Sequence, residues 1–100
     1  MLKLKLVKNG AEATLMMEGR IDANNSPAVK DKLLELAKSY DSIIMDLAEL
    51  KYISSAGLRA FKSLHLEMRN KGGTLLIRNT RPDVMAIFNV TGFNRILDFA

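Results

Sequence analysis

Two adjacent serines stand in the run Tyr52-Ile53-Ser54-Ser55-Ala56-Gly57-Leu58, just ahead of a helical pattern. A hydroxyl at a helix start does one of two things. It caps the helix by accepting a hydrogen bond from a backbone N–H of the first turn. Alternatively it takes a phosphate, whose two negative charges suit the positive end of the helix dipole. Ser54 is the better placed cap, and Ser55 falls near the first helical position. Arg59 follows one turn below Ser55, at the spacing that lets a guanidinium meet a phosphate. Beyond it, Arg59, Lys62, Leu66 and Arg69 share the outer face of the same helix. That face is either a solvated basic surface or a docking surface with Leu66 as its apolar contact.

Other chemistry fits the residues poorly. A serine nucleophile needs a general base, normally an oriented histidine. The only histidine is His65, on the apolar stripe of the helix and about 15 Å from Ser55 at 1.5 Å per residue. It reads as a core-flanking side chain. No glycine-rich phosphate loop of the P-loop or dinucleotide type is present. Asp22 and Asp46 are two acids without further ligands, a poor site for a divalent ion, and each suits a capping role. The sequence therefore indicates neither an enzyme, a metal site nor a cofactor.

The elements that must position the serines follow from periodicity. Leu2, Leu4 and Leu6 alternate with Lys3 and Lys5, and Asn9-Gly10 marks a hairpin into a second strand with Ala13, Leu15 and Met17 on one face. Ser26-Pro27 reads as cap and first residue of a helix ending near Ser39. Val29, Leu33, Leu36 and Ala37 form its stripe, with Lys30, Asp31, Lys32, Glu35 and Lys38 outside. Ser42 to Leu47 is nearly continuous in apolar residues and stops at Asp46-Leu47, which predicts a central parallel strand buried on both faces and a loop after it. A helix from about Ser55 to Asn70 carries Leu58, Phe61, Leu64, His65 and Met68 inward and ends at Gly72-Gly73. Thr74 to Ile77 is a further buried strand. Pro82 opens a third helix, with Val84, Met85, Ile87 and Phe88 apolar, and Ile96 to Phe99 is a last edge strand. The order β-β-α-β-α-β-α-β predicts an α/β domain: a mixed sheet of about five strands, an antiparallel hairpin followed by parallel strands, with three or more helices packed on it. Asp46, Asp22 and the serines are expected to gather at the carboxyl ends of the parallel strands.

Composition narrows the partners. One hundred residues make one domain. No cysteine is present, which excludes disulfides and thiolate metal sites. No apolar run nears the roughly 20 residues of a membrane span, and Met1 to Lys8 lacks the continuous apolar stretch of a signal peptide; a cytoplasmic location is expected. A net charge of +4 permits contact with nucleic acid or acidic lipid but demands neither, and six aromatics with no Lys/Arg block make no stacking platform.

Asp46-Leu47 followed by Tyr52 to Leu58 resembles the signature of STAS domains, above all the bacterial anti-sigma factor antagonists. Gly19-Arg20-Ile21-Asp22 resembles that family's second motif, and the likeness spans residues 1–100. It implies a binding module, not an enzyme. The partner would be an anti-sigma factor that is also a serine kinase of the histidine-kinase-like ATPase type. The unphosphorylated chain would sequester it, phosphate on Ser55 would release it, and a serine phosphatase would reset the switch. Asp22, Asn24, Ser54, Ser55, Ala56, Gly57, Arg59, Lys62 and Leu66 would form the contact surface. The family usually has aspartate where this chain has Ser54, which alters the charge beside Ser55 and makes Ser54 a second possible acceptor. Many relatives continue into a final helix beyond the position of Ala100, and a less covered face or edge would favour a dimer; a monomer or weak dimer is expected. Two other readings stay open: an unphosphorylated adaptor subunit of a lipid-transport ATPase complex, and a small nucleotide- or lipid-binding domain.

Overall fold

Alternating side chains build the first two strands, β1 (Leu2–Asn9) and β2 (Glu12–Ile21), which pair antiparallel from Leu2↔Gly19 to Asn9↔Glu12. The structure, a computed structural model, describes residues 1–100. Gly10 opens the two-residue connection at φ +63° with Ala11 in ordinary backbone, the arrangement of a type II′ turn. The remaining elements are α1 (Ser26–Ser39), β3 (Ser42–Ile53), α2 (Ser55–Asn70), β4 (Thr74–Arg78) and α3 (Pro82–Thr91), with a short 3₁₀ turn at Phe93–Arg95.

The sheet runs β1-β2-β3-β4, with β2, β3 and β4 parallel. Neighbours in sequence are neighbours in the sheet, so right-handed crossovers put α1 and α2 on the same side. Phe88 of α3 joins them there: its ring centroid lies 6.1 Å from that of Phe61 in α2 and 5.0 Å from that of Phe99. Ala13, Leu15, Met17 and Ile21 of β2 are fully or almost fully buried beneath the helices, as are Ile43, Met45, Leu47, Leu50 and Ile53 of β3. Leu33, Leu58, Phe61, Leu64, Val84 and Phe88 close the core from above. Burial of these side chains is the main force holding the helices to the sheet, at about 1.5–3 kcal/mol for each large one. Lys71 ties the far end of α2 to α1, donating to the Ala37 and Tyr40 carbonyls at 2.6 and 3.0 Å. There its charge also faces the negative end of the α1 dipole.

Four expectations are corrected. β3 does not stop near Asp46; it runs on to Ile53. Its core-facing residues are spaced 43, 45, 47 and then 50 and 53. Register shifts against β2 between Met16 and Glu18 and between Gly19 and Arg20 absorb the extra residues. These are β-bulges, which a strictly alternating pattern does not anticipate. Secondly, β3 is central but buried on one face only. Ile44 is half-buried, and Met16, further along β2 on the same face, is exposed, because no helix covers that side. Thirdly, the sheet has four strands; the fifth shrinks to a single parallel bridge between Ile77 and Phe99, with Ile77 N–H donating to the Asp98 carbonyl at 2.9 Å. Ile96 belongs instead to the end of the 3₁₀ turn. Fourthly, α1 begins one residue early. Ser26 is already helical, the cap position falls to Asn25, and no side chain caps it. The Asn25 side chain is turned back into the preceding loop, for reasons that belong to the site.

Candidate functional site

Ile21 and Ile53 are partners at the carboxyl ends of β2 and β3. One residue later, Ser54 N–H donates to the Ile21 carbonyl at 2.8 Å. The loop after β2 and the start of α2 are thereby held side by side, as the rule for open α/β sheets leads one to expect.

Ser54 caps α2. Its backbone is extended and its Oγ accepts from Gly57 N–H at 3.2 Å. Ser55 is the first helical residue and is exposed, with its hydroxyl free of any protein partner. The first turn of α2 holds no acidic residue, so the positive end of the helix is uncompensated. Gly57 makes the packing possible. A Cβ there would stand 2.7 Å from Ile21 Cγ2 and 2.8 Å from Ile53 Cγ1. The absent side chain lets the helix start sit directly on the strand ends.

Asp22 organises the other half. Its Oδ1 accepts from the backbone N–H groups of Asn24 and Asn25, both at 2.9 Å, an Asx turn. Asn25 completes the staple: its Oδ1 accepts from Asp22 N–H and its amide donates to the Arg20 carbonyl, each at 2.9 Å. Asn25 was not singled out in the sequence; the Asp-x-x-Asn spacing was the available signal. Asn24 is exposed on the rim of this loop. Gly19, just before it, sits at φ +114°, and a Cβ there would collide with the Met1 carbonyl.

Asp46 is not part of this cluster. Its partner in β4 is Arg78, at the last pair of the β3–β4 ladder. One carboxylate oxygen accepts from Ala48 N–H at 3.0 Å; the other accepts from Asn79 Nδ2 at 3.0 Å and Arg78 Nε at 3.3 Å. Burial pushes its pKa up most strongly, but the bonds from Ala48, Asn79 and Arg78 together outweigh it and hold the carboxyl below its ordinary range. Asp46 caps the bulge and braces Asn79, which turns the chain at φ +58°. The capping role expected of both aspartates is what the bonds describe.

Along α2, Arg59, Lys62 and Leu66 are exposed, Leu66 by 46%. They continue the line of Ser55 over about 16 Å of helix. Ala56 is half-buried and leans toward α1. His65 is buried on the core side of α2, away from the serines. No helix is long and apolar enough to cross a membrane.

The family model of the STAS domain matches residues 3–100. The anti-sigma-B factor antagonist of Bacillus subtilis (strain 168) is 24% identical over 99 residues, covering 99% of this chain and 91% of its own. The anti-sigma factor antagonist SpoIIAA in its unphosphorylated form superposes with a TM-score of 0.83 at 17% identity, over 98% of this chain and 88% of that one. The Bacillus cell fate determinant SpoIIAA in its phosphorylated form gives 0.76 at 16% identity, over 98% and 91%. At such identities the structural likeness is one of fold.

Proposed function

The chain belongs to the STAS domain family, and on that footing we propose that it is an anti-sigma factor antagonist switched by phosphorylation of Ser55. The partner is an anti-sigma factor with serine-kinase activity of the histidine-kinase-like ATPase type, met in the cytoplasm. The bare chain holds this partner; the kinase moves the γ-phosphoryl group of ATP to Ser55 Oγ, releasing ADP and the hydroxyl proton, and the complex parts. A serine phosphatase restores the hydroxyl. The docking surface comprises the Asp22–Asn24 loop, the turn from Ser54 to Gly57, and the outer face of α2 through Arg59, Lys62 and Leu66. The domain does no chemistry of its own.

The observation that carries this reading is the inequality of the two serines. Ser54 Oγ is engaged with Gly57 N–H while Ser55 is exposed and unbonded. A kinase can take the second hydroxyl without dismantling the helix start. Relatives named as anti-sigma antagonists, and a solved neighbour in both unphosphorylated and phosphorylated forms, support the same reading. The test is incubation with the cognate serine kinase and ATP, followed by phosphopeptide mapping. One phosphate on Ser55, and loss of the complex with it, is the expected result. Phosphate on a different residue, or a stable complex with Ser55 fully phosphorylated, overturns the reading.

A further inference from the structure

Beside the serine pair, α1 and α2 leave a groove of about 360 Å³ lined by Ser26, Pro27, Lys30, Ala56, Arg59, Ala60 and Ser63. Its two charged side chains are both cations, and no acid lines it. Neither Lys30 nor Arg59 belongs to any of the ion pairs of the fold, which join Lys71 to Asp41, Arg78 to Asp46 and Arg81 to Asp83. The hydroxyl protons in the groove are already committed. Ser26 donates to the Ala23 carbonyl at 3.3 Å and Ser63 to the Arg59 carbonyl at 3.1 Å. The donors left for a visitor are therefore the ammonium of Lys30 and the guanidinium of Arg59. Both helices also start at this end, and neither has an acid in its first turn, so the background potential is positive.

We infer that this groove takes a carboxylate side chain of the protein partner, held between Lys30 and Arg59, and that phosphate on Ser55 releases the partner by drawing Arg59 away. The inference rests on Ser55 as the phosphate acceptor and gives that switch its means. Arg59 lies on two lines at once. It follows Ala56 by three residues on the stripe facing α1, and Ser55 by four on the outer stripe, so it can serve either. A phosphoserine oxygen is a stronger, permanently tethered partner for a guanidinium than a carboxylate from another chain. Once the phosphate holds Arg59, the groove keeps one cation and gains a nearby double negative charge. An acidic side chain then loses its clamp and meets repulsion. The partner's chemistry follows from the groove: an acidic side chain, not a basic or apolar one.

The experiment needs no identified partner. An acetylated pentaglutamate peptide is titrated into the ¹⁵N-labelled chain, with pentaglutamine as the uncharged control. Saturable shifts confined to the amides of residues 26–30 and 56–63 are expected from pentaglutamate alone. Lys30→Gln and Arg59→Gln each weaken binding about two- to fivefold, the range of an exposed ion pair, whereas Lys5→Gln on the open sheet face leaves it unchanged. The same series is repeated on a chain made with phosphoserine at position 55 by synthesis, independent of any kinase. There Arg59→Gln has no further effect, because the phosphate has already removed that cation. Shifts spread over every basic residue, or Lys30→Gln and Arg59→Gln matching Lys5→Gln, overturn the groove. An equal effect of Arg59→Gln with and without phosphate overturns the sharing. Should both hold while no kinase modifies Ser55, the function proposed above falls and the groove stands.

Discussion

Ser54 N–H and the Ile21 carbonyl are 2.8 Å apart, and this bond joins the two loops that make the site. It places the Asx turn of Asp22 next to the first turn of α2. The carbonyl that accepts it ends β2, and the donor opens the helix, so neither loop can shift without the other. The predictions below follow from this arrangement.

Ser54→Ala removes the side chain that accepts from Gly57 N–H. Losing such a cap costs about 1 kcal/mol, equivalent to about 4–8 °C of melting temperature in a domain of this size. Ser54→Asp keeps the cap and should melt with the parent. Thermal unfolding followed by circular dichroism measures both. An alanine variant as stable as the parent would show that the hydroxyl does not cap.

Gly57→Ala tests the close approach. Alanine should favour the helix by about 1 kcal/mol. The new methyl meets Ile21 and Ile53 at 2.7 and 2.8 Å, however, and both are buried. Overpacking of this kind typically costs about 1–3 kcal/mol, so the clash wins and the variant is less stable in urea unfolding. A more stable variant would mean that the helix start has room to lift.

Phosphate on Ser55 should leave the fold intact. It adds negative charge at the first turn of α2, where no acid now sits, and such charges contribute about 0.3–1 kcal/mol at a helix N-terminus. The phosphorylated chain should melt at or slightly above the temperature of the bare one, with unchanged far-ultraviolet circular dichroism. A drop of several degrees would replace a surface switch with an unfolding switch.

Asp46 should show in the acid limb of stability. Its carboxyl titrates lower in the folded chain than its ordinary value, so the folded state binds its proton less readily. The stabilisation is fully present above the unfolded pKa of about 3.9 and is lost as pH falls through the lower folded value. Asp46→Asn removes this contribution. Its stability relative to the parent should be lower at pH 6 and the gap should narrow below about pH 4. A gap independent of pH would mean that the charge of Asp46 contributes nothing.

Much of this was legible in the residues. Pro27 and Pro82 mark two helix starts and Gly72-Gly73 a helix end, because each has one strongly preferred backbone role. The spacing of Leu58, Phe61, Leu64 and Met68 gives the buried face of α2 correctly. Ser54 as cap was also readable, since only local bonding decides it. What escaped depends on contacts across the chain. The bulges in β3 arise from pairing with β2 and leave no local mark beyond an uneven run of charges at Glu49 and Lys51. Asp46 was expected beside the serines because the strand was expected to end there. The longer β3 carries Ser55 away from it. The single-faced burial of β3 depends on where α1, α2 and α3 all land. Lys30 reads as an outward charge on α1, and only the approach of α2 turns it into one wall of a groove.

The capping of α2 by a neutral hydroxyl also fixes the size of the signal. A carboxylate at the cap would leave a standing negative charge next to Ser55, and the phosphate would add to a surface already negative. With Ser54 the cations Lys30, Arg59 and Lys62 outnumber the one acid here, Asp22, and a phosphate on Ser55 would add a dianion. The swing between the two states is the full charge of the phosphate, set against a positive baseline. A partner that discriminates by charge would therefore meet a net positive surface before phosphorylation and a nearly neutral one after it.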